Sequence, residues 1–221
     1  MSGRKQFDVE AALDQAVRVF WERGYADASL EVLGSATGLG RGSLYGTFGS
    51  KDALFHQCLD RYAAVYDERY ERALTAHPGE PVRAVEAFFD AVLARIADPS
   101  VPTGCLVAQS AAQSPALTEA SGARVRDLLA LQRRRIRAAL ADSPADARTL
   151  DELAAFVVAV NQSLAVLSRA GTPDAELRSV ARLACTTVAD SLARAAAGGD
   201  APSRSARPEP QPSSMRTSAR A

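Results

Sequence analysis

Apolar residues recur every three or four positions along most of the chain, a spacing that predicts helices almost end to end. No stretch shows the every-second-residue alternation of a half-buried strand. A first helix spans about 9–23, with Leu13, Ala16, Val17, Phe20 and Trp21 on its apolar face, Asp8 as N-cap and Gly24 as its stop. Two short helical stretches follow. Leu30, Val32 and Leu33 precede a break at Thr37-Gly38, and the second stretch, 40–47, sets Leu44 and Phe48 on one side. A fourth helix runs from about Lys51 to Leu74, with Leu54, Phe55, Cys58, Leu59, Tyr62, Val65, Tyr66 and Tyr70 inward, and His77-Pro78-Gly79 ends it. Further helices cover about 81–97, 103–113, 116–141, 145–170 and 174–197, and Gly122 offers a break in the seventh. The pattern predicts an all-α protein of about nine helices. Residues 200–221 are rich in Pro, Ser and Arg and have too little apolar surface to offset their ordering entropy, so a disordered tail is expected there.

Residues 29–51 carry the most information. Two short helices are joined by a glycine-containing turn, the sequence form of a helix-turn-helix. In that motif the second helix enters the DNA major groove. Arg41, Ser43 and Tyr45 point away from the Leu44–Phe48 side. Gly49 suits a helix end and Ser50 the next N-cap. Lys51 then sits in a first helical turn, where the macrodipole favours acids, so an outside anion such as a phosphate is its expected partner.

The run Gly42-Ser43-Leu44-Tyr45, then Phe48, then Ser50-Lys51, resembles the DNA-binding domain of the TetR family of transcriptional regulators. The resemblance covers roughly Asp8 to Tyr66 and includes Phe20, Gly24, Tyr25, Gly38, Leu39 and Leu54. It implies a helix-turn-helix domain at 1–50 and a helical ligand-binding and dimerisation domain at 51–198. It also implies a homodimer that binds a near-palindromic double-stranded DNA operator and is released by a small-molecule effector, most simply as a repressor. Arg41, Gly42, Ser43, Tyr45, Thr47 and Lys51 are its implied DNA-binding residues. Arg41 can pair with guanine or phosphate, while Tyr45, Thr47 and Lys51 suit phosphates. Gly46 stands where the family has a bulkier polar residue, and Gly40 replaces the usual Ser or Thr cap.

Charge changes the picture. The 221 residues hold 26 basic and 26 acidic side chains, and residues 1–60 hold six bases against eight acids. A diffuse basic surface cannot therefore carry DNA binding; a small placed surface must. No apolar run approaches the roughly 20 residues of a membrane span, and the start lacks a signal-peptide core, so no membrane partner is expected. Three cysteines form no CxxC pair and the two histidines stand apart from them, so neither disulfide framework nor metal nor cofactor is expected, and a reduced cytoplasm fits. No spacing brings polar residues together as a catalytic set.

Two constellations remain. Val157, Val160, Leu164 and Leu167, then Val180, Leu183 and Val188, make the last two helices apolar on more than one side, and the resemblance makes them the dimerisation helices. Tyr66, Phe88, Phe89, Val92, Cys105, Gln109, Leu128 and Asn161 are the candidate ligand-binding residues, although the same walls describe a helical core. Cys105 follows Gly104 near the start of the sixth helix. It is either a small buried residue or a sensor of electrophiles or oxidants, the latter by resemblance. The alternative to small-ligand control is thus regulation through Cys105 or a partner protein. The arginines at 133, 134, 135 and 137 read as a solvated helix face.

Overall fold

Side-chain caps and glycines set the helix limits in the computed structural model, which describes residues 7–199; the expected tail at 200–221 lies outside them. The first helix, α1 (Val9–Asp27), starts where the Asp8 carboxylate accepts the Glu10 and Ala11 amides, and it breaks at Gly24, whose φ is 77°. Ser29 caps α2 (Leu30–Thr37) through the Val32 amide, and Gly38 ends it in the left-handed region. Gly40 precedes α3 (Arg41–Phe48) with no side-chain cap, as its lack of a hydroxyl dictates. Ser50 caps α4 (Lys51–Thr75) through the Ala53 amide. Then come α5 (Pro81–Ile96), α6 (Leu106–Ala112), α7 (Glu119–Ala139), α8 (Ala147–Arg169) and α9 (Asp174–Gly199), with a short 3-10 turn at Ser114–Ala116.

Two limits differ from expectation. Gly104 takes a positive φ and Cys105 is extended, so α6 begins at Leu106 rather than near Thr103. Cys105 is its cap residue, outside the first turn. α7 runs through Gly122 unbroken, because Thr118 caps it and Gly122 N bonds the Thr118 carbonyl at 2.9 Å.

The spine is α4, which packs on α1, α5 and α7. Phe20 of α1 meets Phe55 of α4 edge to face at 5.0 Å, and both are fully buried. Burying a side chain of this size stabilises by about 1.5–3 kcal/mol. α8 and α9 pack on each other, α8 on α7 and α9 on α5.

Two further readings change. α8 is long and apolar enough by composition to cross a bilayer, contrary to the sequence-based expectation. Its Leu150, Leu153, Val157 and Leu164 are instead buried in the helical core. The arginine run is not merely a solvated face. Arg135 pairs with Asp67 at 3.2 Å and with Glu71 of α4, and Arg137 pairs with Asp151 of α8 at 2.7 Å, so α7 is tied on both sides.

Candidate nucleic-acid interface and control region

α3 is divided cleanly. Leu44 and Phe48 are buried against the core, while Arg41, Gly42, Ser43, Tyr45, Gly46 and Thr47 are exposed. The Arg41 guanidinium lies over the Tyr45 ring at 5.7 Å, so the two form one exposed unit. A Cβ added at Gly42 or Gly46 would meet nothing within 4 Å. Neither glycine is demanded by packing within the protomer, and both let an outside surface approach the helix backbone.

Lys51 has internal partners that the sequence did not reveal. Its Nζ donates to the Ala26 carbonyl at 3.4 Å and lies 4.6 Å from the Tyr25 ring centroid. Burial lowers its pKa, against the pull of Asp27. Its position therefore needs no outside anion, although it borders the same exposed edge. The next residue, Asp52, joins this edge to α7. Its Oδ1 accepts from Ser121 Oγ at 2.5 Å, Thr118 Oγ1 at 2.9 Å and Tyr25 OH at 3.5 Å. His56 Nε2 meets Ser121 Oγ at 2.9 Å.

Two of the candidate ligand residues line clefts, and not the same one. Phe89 lines a cleft of about 590 Å³ between α5 and α9, and Leu128 lines a separate one between α4 and α7. Phe88 and Val92 are fully buried, and Gln109 is half-buried on α6. Asn161 donates to Gln132 Oε1 at 3.2 Å. Tyr66 and Cys105 do come together, around a residue that sequence reasoning passed over. Arg95, 3% exposed, donates from Nε to Tyr70 OH at 2.8 Å and from Nη1 to the Gly104 carbonyl. The rings of Trp21 and Tyr66 each lie 5.9 Å from its guanidinium carbon. Tyr62 OH donates to Cys105 Sγ at 3.2 Å. Burial pushes the Tyr70 phenol up to about 12, against the pull of Arg95. A signal for Arg95 existed: it continues the stripe Phe88, Val92, Arg95 at helical spacing.

The proposed dimer residues split. Val157, Leu164 and Val188 are fully buried in the protomer's own core, so they cannot meet a partner directly. Val160 is half-buried. Leu167, Val180 and Leu183 are exposed, Leu183 at 68%, and Val166 joins them. An apolar nearly all-round helix shows that both sides are covered but not which side faces inward.

Known structures share this arrangement. A cysteine-substituted variant of the transcriptional regulator CifR, solved with 26-bp double-strand operator DNA, superposes with a TM-score of 0.72 and 32% identity, over 81% of this chain and 96% of that one. The chain belongs to the TetR family of transcriptional regulators. The family model for bacterial regulatory proteins of the tetR family matches residues 12–58, and that for the tetracyclin repressor-like C-terminal domain matches 81–184. The HTH-type transcriptional repressor ComR of Escherichia coli (strain K12) is 35% identical over 103 residues, 47% of this chain and 49% of that protein. The uncharacterized HTH-type regulator YezE of Bacillus subtilis (strain 168) is 33% identical over 111 residues, 50% of this chain and 57% of that one. The chain thus spans about half the length of the curated relatives it matches. In this TetR-family chain the helix-turn-helix is α2–α3, and the region behind it holds the Arg95 cluster.

Proposed function

We propose that this regulator is a cytoplasmic homodimeric repressor that reads a near-palindromic operator with α3 and releases it when an effector acts on the C-terminal helices. The division of α3 carries the reading: Leu44 and Phe48 fix the helix, and Arg41, Ser43, Tyr45 and Thr47 are left free on an outer face with open backbone at Gly42 and Gly46. Relatives named as a repressor and as an operator-bound regulator support it. Arg41 suits a base edge, and Tyr45, Thr47 and Lys51 suit phosphates. The exposed strip of Val166, Leu167, Val180 and Leu183 suits a two-fold contact that sets the spacing of two α3 copies. An effector that binds one spacing better shifts the population toward it. The test is an operator titration with the Arg41→Ala variant. A loss of tenfold or more with unchanged fold supports the role, and unchanged affinity removes it.

A second reading, control through Cys105, is favoured by one observation. Cys105 is half-buried while Cys58 and Cys185 are buried, and its sulfur meets Tyr62 OH beside α1. Treating operator-bound protein with N-ethylmaleimide separates the readings: release by wild type but not by Cys105→Ser supports thiol control, and equal behaviour removes it.

A further inference from the structure

Arg95 presents an unusual electrostatic situation. Its guanidinium is buried, yet among the described residues it has no carboxylate partner within ion-pairing distance. Its hydrogen-bond partners are neutral: a phenol and a backbone carbonyl. Taking a guanidinium out of water costs several kcal/mol unless an opposite charge or full hydrogen bonding compensates. Here the compensation is incomplete. Nη2 is buried with no hydrogen-bond acceptor, and so is Nε1 of Trp21, whose ring faces the same guanidinium. Native interiors satisfy nearly all such donors, so two unsatisfied ones on neighbouring side chains point to an acceptor that joins them.

The surroundings define that acceptor. Trp21 packs edge-on to Tyr62 and Tyr66, with centroids 4.9 Å and 5.6 Å away, and the two tyrosine rings lie tilted at 4.6 Å. A planar anion with two oxygens matches a guanidinium fork, and an apolar body matches the rings. The loop between α5 and α6 covers the cluster. Its Ser100 carbonyl accepts from Arg18 Nη1 at 2.7 Å, and its Gly104 carbonyl accepts from Arg95 itself. An incoming carboxylate competes with the Gly104 carbonyl for the same guanidinium.

We propose that Arg95 and the Trp21 indole N–H form the anchor for a carboxylate effector with an apolar body, seated under the α5–α6 loop. The proposal rests on the effector-controlled reading above and specifies its ligand class. The site also has a route to DNA. The backbone carbonyls of Trp21 and Glu22 are held by Arg169 of α8, so a shift of the indole bears directly on the end of α1. Beyond Gly24, α1 leads straight into α2 and α3.

The chain has one tryptophan, so Trp21 emission reports this site alone. The experiment titrates the full chain with benzoate and octanoate, and with benzamide and octanamide, at fixed pH and ionic strength. The site predicts a saturable emission change with at least one carboxylate and a tenfold or greater weakening with its matching amide. It predicts loss of that response in Arg95→Met, which replaces a buried charge with an apolar side chain of similar length and whose fold is checked by circular dichroism. Arg69→Met, which removes an exposed cation over Tyr66, retains the response. Equal response to amides, no response to either carboxylate, or full response in Arg95→Met overturns the site. A parallel operator titration separates the two levels: saturable carboxylate binding without operator release keeps the site and overturns effector control.

Discussion

Arg169, the last residue of α8, donates from Nη1 to the Trp21 carbonyl of α1 at 3.1 Å, and its Nη2 reaches the Glu22 carbonyl. This joins the proposed dimer helix to the helix that carries α2 and α3. Arg169→Met removes both bonds and leaves α1 without this latch. The expected cost is about 1 kcal/mol of stability, since one bond is exposed and the other only part-buried. A urea midpoint measures it. The larger expected effect is on control: operator affinity drops, and any effector response weakens more than the fold does. Unchanged operator binding would show that the latch is not used.

Gly46→Ala separates folding from recognition. The added methyl meets nothing within 4 Å, and alanine is favoured over glycine in a helix by about 1 kcal/mol. The thermal midpoint rises. If backbone approach to DNA requires the glycine, operator affinity falls at the same time. A variant that gains stability and keeps full affinity rejects close approach at that position.

Thiol labelling orders the cysteines. Burial pushes the Cys185 thiol up to about 11, with Glu86 and Asp90 adding to it, and burial pushes Cys58 up well above the ordinary thiol range. Both therefore stay protonated at pH 8. Iodoacetamide in the native state then modifies Cys105 first, read by peptide mass mapping. The sign for stability follows. A thiol held at about 11 when folded and near 9 when unfolded favours unfolding as pH rises through that window. Alkaline destabilisation between about pH 9 and 11, reduced in Cys185→Ala, is the expected profile; preferential labelling of Cys185 at pH 8 contradicts it.

Leu183→Asp and Val188→Asp distinguish surface from core on one helix. Leu183 is 68% exposed and Val188 is fully buried. The first variant keeps its helical circular dichroism and sediments as a monomer. The second loses several kcal/mol by burying an unpaired charge and unfolds. A folded dimer of Leu183→Asp places the interface elsewhere.

Much of this was readable from the chain because its signals are local. Asp8, Ser29 and Ser50 cap helices through bonds to amides two or three residues away, and Gly24, Gly38 and Gly49 take the positive φ that their positions need. The inward set of α3, Leu44 and Phe48, followed from spacing alone. What was not readable depends on long-range packing. Arg95 did not stand out because its partners, Trp21, Tyr70 and Gly104, lie on three other segments. Lys51 looked unpartnered because Ala26 and Tyr25 approach it only after α1 breaks at Gly24. Val157 and Leu183 look alike in sequence; only the placement of α8 against α7, and of α9 against α5, decides which faces inward.

The central claim is that two copies of a weakly basic α3, held at a fixed spacing, read DNA as a pair. Selection of bound duplexes from a random library by the full chain, followed by native mass measurement of the complex, tests it most directly. The expected result is an inverted repeat with half-sites about one helical turn apart and an even number of chains per duplex. A non-symmetric site bound by a single chain would contradict it.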